Sequence, residues 1–166
     1  MLVYLIRHAI AEIRDPLQWP DDSKRPLTPE GADRFRKAAE GLAILVPSVD
    51  AVLSSPWRRS WETAQLLHEV AGWPKPEKCE ALEGDRSPRG VVPALRQQLQ
   101  ADAVALVGHE PQMHLLASYL LTGDSARLLI EFKKGGAAAF TIDGSLRPGT
   151  AAMLWALPPR VLRALA

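Results

Sequence analysis

The chain has 166 residues, 47% of them hydrophobic and 23% charged, the profile of one globular domain over residues 1–166 with a sizeable core. Twenty basic residues against nineteen acidic ones leave a formal charge of +1, so no overall field draws it to nucleic acid or an anionic membrane, and any anion must be caught by a local cluster. The single Cys79 has no partner for an internal disulfide or a thiolate metal site, which points to a reducing, cytoplasmic setting.

The opening run Leu2–Ile6 is too short for a signal-peptide core, and no stretch reaches the ~18 apolar residues of a membrane helix; the expectation is an untargeted soluble protein. Leu2–Ile6 reads instead as a buried strand. Asp15 to Pro26, rich in proline and charge, reads as a surface loop. Thr28 before Pro29 is a helix-start signal, and Ala32, Phe35, Ala39, Leu42 and Leu45 follow at helical spacing.

Ala51–Leu53 is a second strand. Ser55-Pro56 then opens a helix whose stripe is Trp57, Trp61, Ala64, Leu67 and Ala71, with Arg59 and Thr63 one turn apart on another face. Lys78–Leu82 alternates in the manner of an edge strand. Arg89–Gln100 and Pro111–Leu121 have amphipathic spacing, and between them Val104–Val107 is a fourth strand. Phe132–Ile142 and Thr150–Leu157 read as antiparallel strands with Gly-rich turns. Strands alternating with helices predict a three-layer α/β sandwich: a mostly parallel central sheet flanked by helices, with antiparallel strands in the C-terminal part.

The unusual residues fall at the ends of these strands. Arg7-His8, Ser54-Ser55-Pro56 and Gly108-His109 each close a predicted parallel strand, and in open α/β sheets that edge is where ligands bind. Arg59 lies near a helix start, where a cation is unfavourable unless an anion is shared with the free N–H groups. Two histidines and two arginines at one edge suit a dianionic phosphoryl group, because guanidinium forks bond its oxygens bidentately. A neutral imidazole is a competent nucleophile toward phosphorus. A metal site is disfavoured: His109 and His114 are five apart rather than the four that stack on one helical face, and no Asp or Cys stands at ligand spacing.

Four segments, in order, resemble the histidine phosphatase superfamily, and within it the short branch that includes phosphohistidine phosphatases. Arg7-His8 is similar to its Arg-His-Gly signature, with Ala9 in place of the glycine. Arg25-Pro26-Leu27-Thr28, Ser55-Pro56-Trp57-Arg58-Arg59 through Thr63-Ala64, and Val107-Gly108-His109-Glu110-Pro111 resemble its other motifs. The resemblance implies a phosphoglycerate mutase-like fold, His8 as phosphoryl acceptor, Arg7, Arg59 and His109 as holders of the transferring oxygens, and Arg25 as a further substrate contact. No cofactor or metal is expected, since an imidazole nucleophile among arginines requires none.

Larger members of the family carry a glutamate acid in an insert, whereas here only Glu83 and Asp85, in a brief turn, are available as proton donors. An imidazole leaving group, with an ordinary pKa of about 6.5, needs little acid assistance. The expected substrate is therefore phosphohistidine on a histidine-containing carrier domain, with a small phosphorylated metabolite as the alternative. A phosphate-binding module without catalysis is the remaining one. Neither nucleic acid nor membrane is expected as a partner.

Overall fold

Six strands, β1 (Leu2–Arg7), β2 (Ala51–Ser54), β3 (Glu77–Lys78), β4 (Ala103–Gly108), β5 (Ala137–Ile142) and β6 (Ala151–Leu157), form one sheet in the order β3-β2-β4-β1-β5-β6 in the computed structural model, which describes residues 1–142 and 146–166. Pairings β1/β4, β2/β4 and β2/β3 are parallel; β1/β5 and β5/β6 are antiparallel. This is the mostly parallel α/β sandwich expected from the alternation of strands and helices.

Successive side chains of a strand point to opposite faces, and both faces here are covered. Tyr4, Ile6, Val52, Ala105 and Val107 face α1 (Pro29–Leu45), α2 (Arg58–Ala71) and α5 (Pro159–Leu165). Val3, Leu5, Leu53, Val104 and Leu106 face α3 (Val91–Arg96) and α4 (Gln112–Thr122). Burial of each Leu, Ile or Val side chain is worth about 1.5–3 kcal/mol, so β1 and β4, buried on both faces, are the anchor of the sheet.

α1 starts as expected: Thr28 Oγ1 accepts from the Gly31 N–H at 2.9 Å, and Pro29 takes the first helical position. Gly41 lets α5 lie against α1, since a Cβ there would stand 1.8 Å from the Leu162 carbonyl oxygen. Among the described residues, no helix is long and apolar enough to cross a membrane.

Several boundaries differ from the sequence expectation. The third strand is two residues long, and Glu80–Leu82 within its predicted span forms a 3-10 turn. α2 begins at Arg58 rather than Ser55, because the Ser55 hydroxyl accepts from the Trp57 N–H before the helix starts. Only Val91–Arg96 of the predicted Arg89–Gln100 helix is α-helical, leaving Leu99 exposed. β5 begins at Ala137 because Lys133–Gly136 is a turn. α5 was not anticipated at all. The turn expected between the two C-terminal strands falls partly at residues 143–145, outside the described residues.

Candidate functional site

The register of β1 against β4 creates the centre of the site. Arg7 pairs with Gly108, and the His8 N–H donates to the Gly108 carbonyl at 2.9 Å. The next residue on each strand is a histidine, so the rings of His8 and His109 lie 5.2 Å apart. No loop geometry is needed to bring them together; two adjacent parallel strands ending at the same level do it.

His8 is buried and held from several sides. Its Nδ1 lies 2.7 Å from the Ala9 carbonyl oxygen, an acceptor only, which assigns the proton to Nδ1 and leaves the lone pair on Nε2. Nε2 is the atom that faces Arg59, whose Nε–H donates to it at 3.3 Å. Burial, reinforced by the charges of Arg59, Arg7 and Lys134, lowers the pKa of His8 to about 3, so the ring is neutral at pH 7. The surrounding main chain is fixed as well. The Gly135 N–H bridges the carbonyls of Arg7 and His8, and the Ala9 N–H donates to Thr63 Oγ1 at 3.0 Å. The Thr63 hydroxyl in turn donates to the Arg59 carbonyl at 2.6 Å, tying the turn after β1 to the turn of α2 that carries Arg59.

Arg59 is buried, stacks over the Trp57 ring at 4.8 Å, and bonds Asp22 through both terminal nitrogens: to the carbonyl at 2.8 Å and to the carboxylate at 3.0 Å. Arg25 Nε donates to the other Asp22 oxygen at 2.8 Å, while its NH1 donates to the Glu12 carbonyl. One carboxylate thus spans both guanidiniums. Burial raises the Asp22 carboxyl, but the Arg25 hydrogen bond and the charges of Arg59 and Arg25 outweigh it and hold the group below the usual carboxylate range. Burial lowers Arg59 to about 10, which leaves it charged at neutral pH. Arg7 donates from NH1 to the Phe132 carbonyl at 2.6 Å, and its buried Nε has no hydrogen-bond partner among the described residues.

His109 sits against the Trp57 ring at 4.8 Å, with Nε2 2.9 Å from Ser55 Oγ and 3.1 Å from Ser60 Oγ. Burial, with the neighbouring His8 and arginines, lowers its pKa to about 2. A serine hydroxyl donating to Nε2 puts the ring proton on Nδ1, and Nδ1 is a buried atom without a partner among the described residues. Leaving such an atom unpaired costs about 1–3 kcal/mol. Both it and Arg7 Nε are therefore unspent donors at one sheet edge.

The structure brings Arg7, His8, Arg59 and His109 to one place and attaches Arg25 to them through Asp22. The proline-rich stretch before Arg25 lies largely at the surface, as expected, with Leu17 exposed, and turns inward only at its end, where Asp22–Lys24 is a 3-10 turn and Arg25 is buried. Glu83 and Asp85 flank Gly84, which packs on His109 and Trp57 so tightly that a Cβ would stand 3.2–3.3 Å from both. Glu83 nevertheless bonds Arg86 at 3.2 Å, and Asp85 is exposed.

Sequence reasoning missed Asp22, Ser60 and Lys134, and it placed Ser55 at the edge without its bond to His109. Lys134 stands beside the Gly135 N–H that grips His8, and burial together with Arg7, Arg25 and Arg59 holds its ammonium below the usual lysine range. The signal for Asp22 was its position three residues before Arg25; for Lys134 it was a cation in a Gly-Gly turn. Among the described residues, no group of three or more His, Cys, Asp or Glu is placed to hold a metal ion.

A neutral imidazole whose Nε2 lone pair faces a guanidinium, ringed by further cations and a second imidazole at a sheet edge, defines a protein equipped to hold a phosphoryl group or a like oxyanion. Residues 3–84 match the family model of the histidine phosphatase superfamily (branch 1). The chain is 32% identical to an uncharacterised protein of the cyanobacterium Picosynechococcus sp. (strain PCC 7002), over 82% of each chain. It is 27% identical to phosphohistidine phosphatase SixA of Escherichia coli K12, over 96% of this chain and 94% of that one. A structure of the protein histidine phosphatase SixA complexed with tungstate superposes with a TM-score of 0.85 at 25% identity, over 98% and 99% of the two chains. The chain belongs to the histidine phosphatase superfamily, and its fold is that of the phosphoglycerate mutase-like histidine phosphatases.

Proposed function

We propose that the chain is a metal-independent phosphatase whose His8 takes the phosphoryl group, and that its substrate is phosphohistidine carried on a protein. The observation that carries this reading is the tautomer of His8: Nδ1 is committed to the Ala9 carbonyl, so the lone pair stands on Nε2 beside Arg59.

In the first step Nε2 attacks phosphorus, the bond from phosphorus to the leaving nitrogen breaks, and His8 becomes a phosphorylated imidazolium that keeps its Nδ1 proton. Arg7, Arg59 and the His109 Nδ1–H are the donors for the equatorial oxygens, where charge accumulates in the transition state. In the second step water attacks phosphorus, the bond to Nε2 breaks, and dihydrogen phosphate leaves with both protons of the water. Lys134 and Arg25 add positive field at the mouth.

The leaving group follows from the acids. Glu83 is engaged by Arg86 and Asp85 is exposed, so neither is set to protonate an alkoxide. A phosphohistidine whose second ring nitrogen is protonated departs as neutral imidazole and needs no acid. The relatedness to SixA, named as a phosphohistidine phosphatase, supports the same choice. The reading places the protein in the cytoplasm.

The test compares wild type with His8→Ala on a phosphorylated histidine-containing carrier domain and on a panel of phosphate monoesters, with acid-quench trapping of labelled phosphoenzyme. Wild type should hydrolyse the carrier best and give an acid-labile phosphoenzyme, and the variant should do neither. Turnover by His8→Ala would refute the nucleophile. Preference for a monoester would replace the substrate with a small phosphorylated metabolite, and absence of any turnover would favour a binding module.

A further inference from the structure

A groove of about 700 Å³ opens beside the catalytic edge, on the β5–β6 side, and of its lining only Lys134 enters the chemistry above. Its wall begins with Ala9 and Ile10, the two residues after His8, and continues through the Lys133–Gly136 turn. That turn is fastened to the nucleophile's own main chain by the Gly135 N–H, while Arg7 bonds the adjoining Phe132 carbonyl. Whatever lies in the groove therefore lies next to His8.

The floor is apolar, formed by Phe35, Ala137, Leu157 and Pro159. Phe35 packs beneath Gly135, where a Cβ would come within 3.2 Å of its ring; Gly135 has φ +78°, so the turn tolerates no ordinary side chain there. The rim is cationic. Two of its charges are answered locally, Arg34 by Glu30 and Lys133 by Glu131. Lys134, Arg160 and Arg163 remain, and among the described residues no carboxylate lies within ion-pair distance of any of them. Three unanswered cations around an apolar floor are a local excess on a chain whose net charge is only +1, and such an excess selects an anionic partner.

We infer that this groove receives an acidic, partly apolar segment of the phosphorylated protein, lying beside its phosphohistidine, with carboxylates on the rim cations and aliphatic side chains on the floor. The inference rests on the phosphoprotein reading above and deepens it. A volume of this size lies within the ~300–1,000 Å³ typical of ligand sites, enough for a few side chains and not for a folded domain. The segment accordingly supplies orientation and on-rate, and the phosphoryl pocket supplies chemistry.

The test separates the groove from the reaction. A short fluorescein-labelled, unphosphorylated peptide of Asp, Glu and Leu is titrated by anisotropy into wild type and into the double variant Arg160→Glu/Arg163→Glu, neither residue being part of the phosphoryl pocket. In parallel, kcat/KM is measured for the phosphorylated carrier domain and for an aryl phosphate. Expected results are salt-sensitive peptide binding by wild type, weakened on the order of tenfold in the variant, a similar loss of kcat/KM on the carrier, and unchanged aryl phosphate turnover, which also reports that the variant is folded. If charge reversal unfolds the chain, Arg160→Gln/Arg163→Gln takes its place with a smaller expected loss in the same direction. Peptide binding that is absent, or equal in wild type and variant, overturns the groove, whatever happens to the carrier. Peptide binding that behaves as expected while wild type fails to hydrolyse the carrier upholds the groove as an acidic-segment site and refutes the substrate reading instead.

Discussion

Taking the folded chain from pH 7.5 to pH 5 should cost about 4 kcal/mol through two imidazoles alone. His8 and His109 have pKa values lowered to about 3 and about 2, while in the unfolded chain each returns to an ordinary value near 6.5. Both folded values are depressed, so at pH 5 the unfolded state takes up two protons that the folded state refuses. The stability they contribute is complete above pH 6.5 and is lost as pH falls toward the folded values. At pH 5 each histidine shifts the balance toward unfolding by about 2 kcal/mol, a large part of the 5–15 kcal/mol of a typical domain. Guanidinium denaturation at pH 7.5, 6 and 5 in phosphate-free buffer measures this, with a constant m-value as the check on two-state behaviour. His8→Asn removes one of the two groups and should roughly halve the pH slope between 6 and 5. An unchanged slope in that variant would show that His8 is protonated in the folded state and is therefore not the neutral imidazole that the proposed phosphoryl transfer requires.

Asp22→Asn frees Arg59 and Arg25 from their shared carboxylate, so inorganic phosphate should inhibit several-fold more tightly; a weaker inhibition constant would instead make Asp22 the group that positions the arginines. Thr63→Val leaves the Ala9 N–H without its acceptor and should cost about 1–3 kcal/mol in thermal or chemical denaturation, with Thr63→Ser restoring most of it. Gly41→Ala places a Cβ 1.8 Å from the Leu162 carbonyl oxygen and should destabilise by about 3 kcal/mol through displacement of α5; full stability in calorimetry would mean that α5 is not firmly docked.

The sheet was legible because its signal is redundant. β1, β2 and β4 are short apolar runs buried on both faces, and the residues that interrupt them are the ones the structure collects at the carboxyl edge. α1 carried both an N-cap and a first-turn proline. The misses have a common cause, which is tertiary context acting on weak local signals. β3 is two residues long because Cys79, still extended with its N–H on the Ser54 carbonyl, leads directly into the 3-10 turn Glu80–Leu82. α5 has only seven residues and is held by packing on α1 rather than by any amphipathic pattern long enough to detect. On α2 the ordinary rule inverts: Arg59, Ser60 and Thr63 are buried together, because the polar side faces Ala9 and His109 rather than solvent.

The site divides along the same line. His8 and His109 stand side by side by strand register, a consequence of two buried runs ending at paired residues Arg7 and Gly108, and that much can be inferred from any sequence in which the runs are visible. The contacts that hold the cations around them come from loops, through Asp22, Phe132 and the Lys133–Gly136 turn. Arg25 is held inward by Asp22 and the Glu12 carbonyl, Arg7 is steadied by the Phe132 carbonyl, and Lys134 is carried by a turn with φ +78° at Gly135. Strand register thereby sets the two imidazoles, and loop contacts set the cations around them. The same turn closes one wall of the cationic groove, so on the proposed reading a change at Lys133–Gly136 should alter acidic-peptide binding and phosphate binding together, whereas a change at Arg160 or Arg163 should alter peptide binding alone.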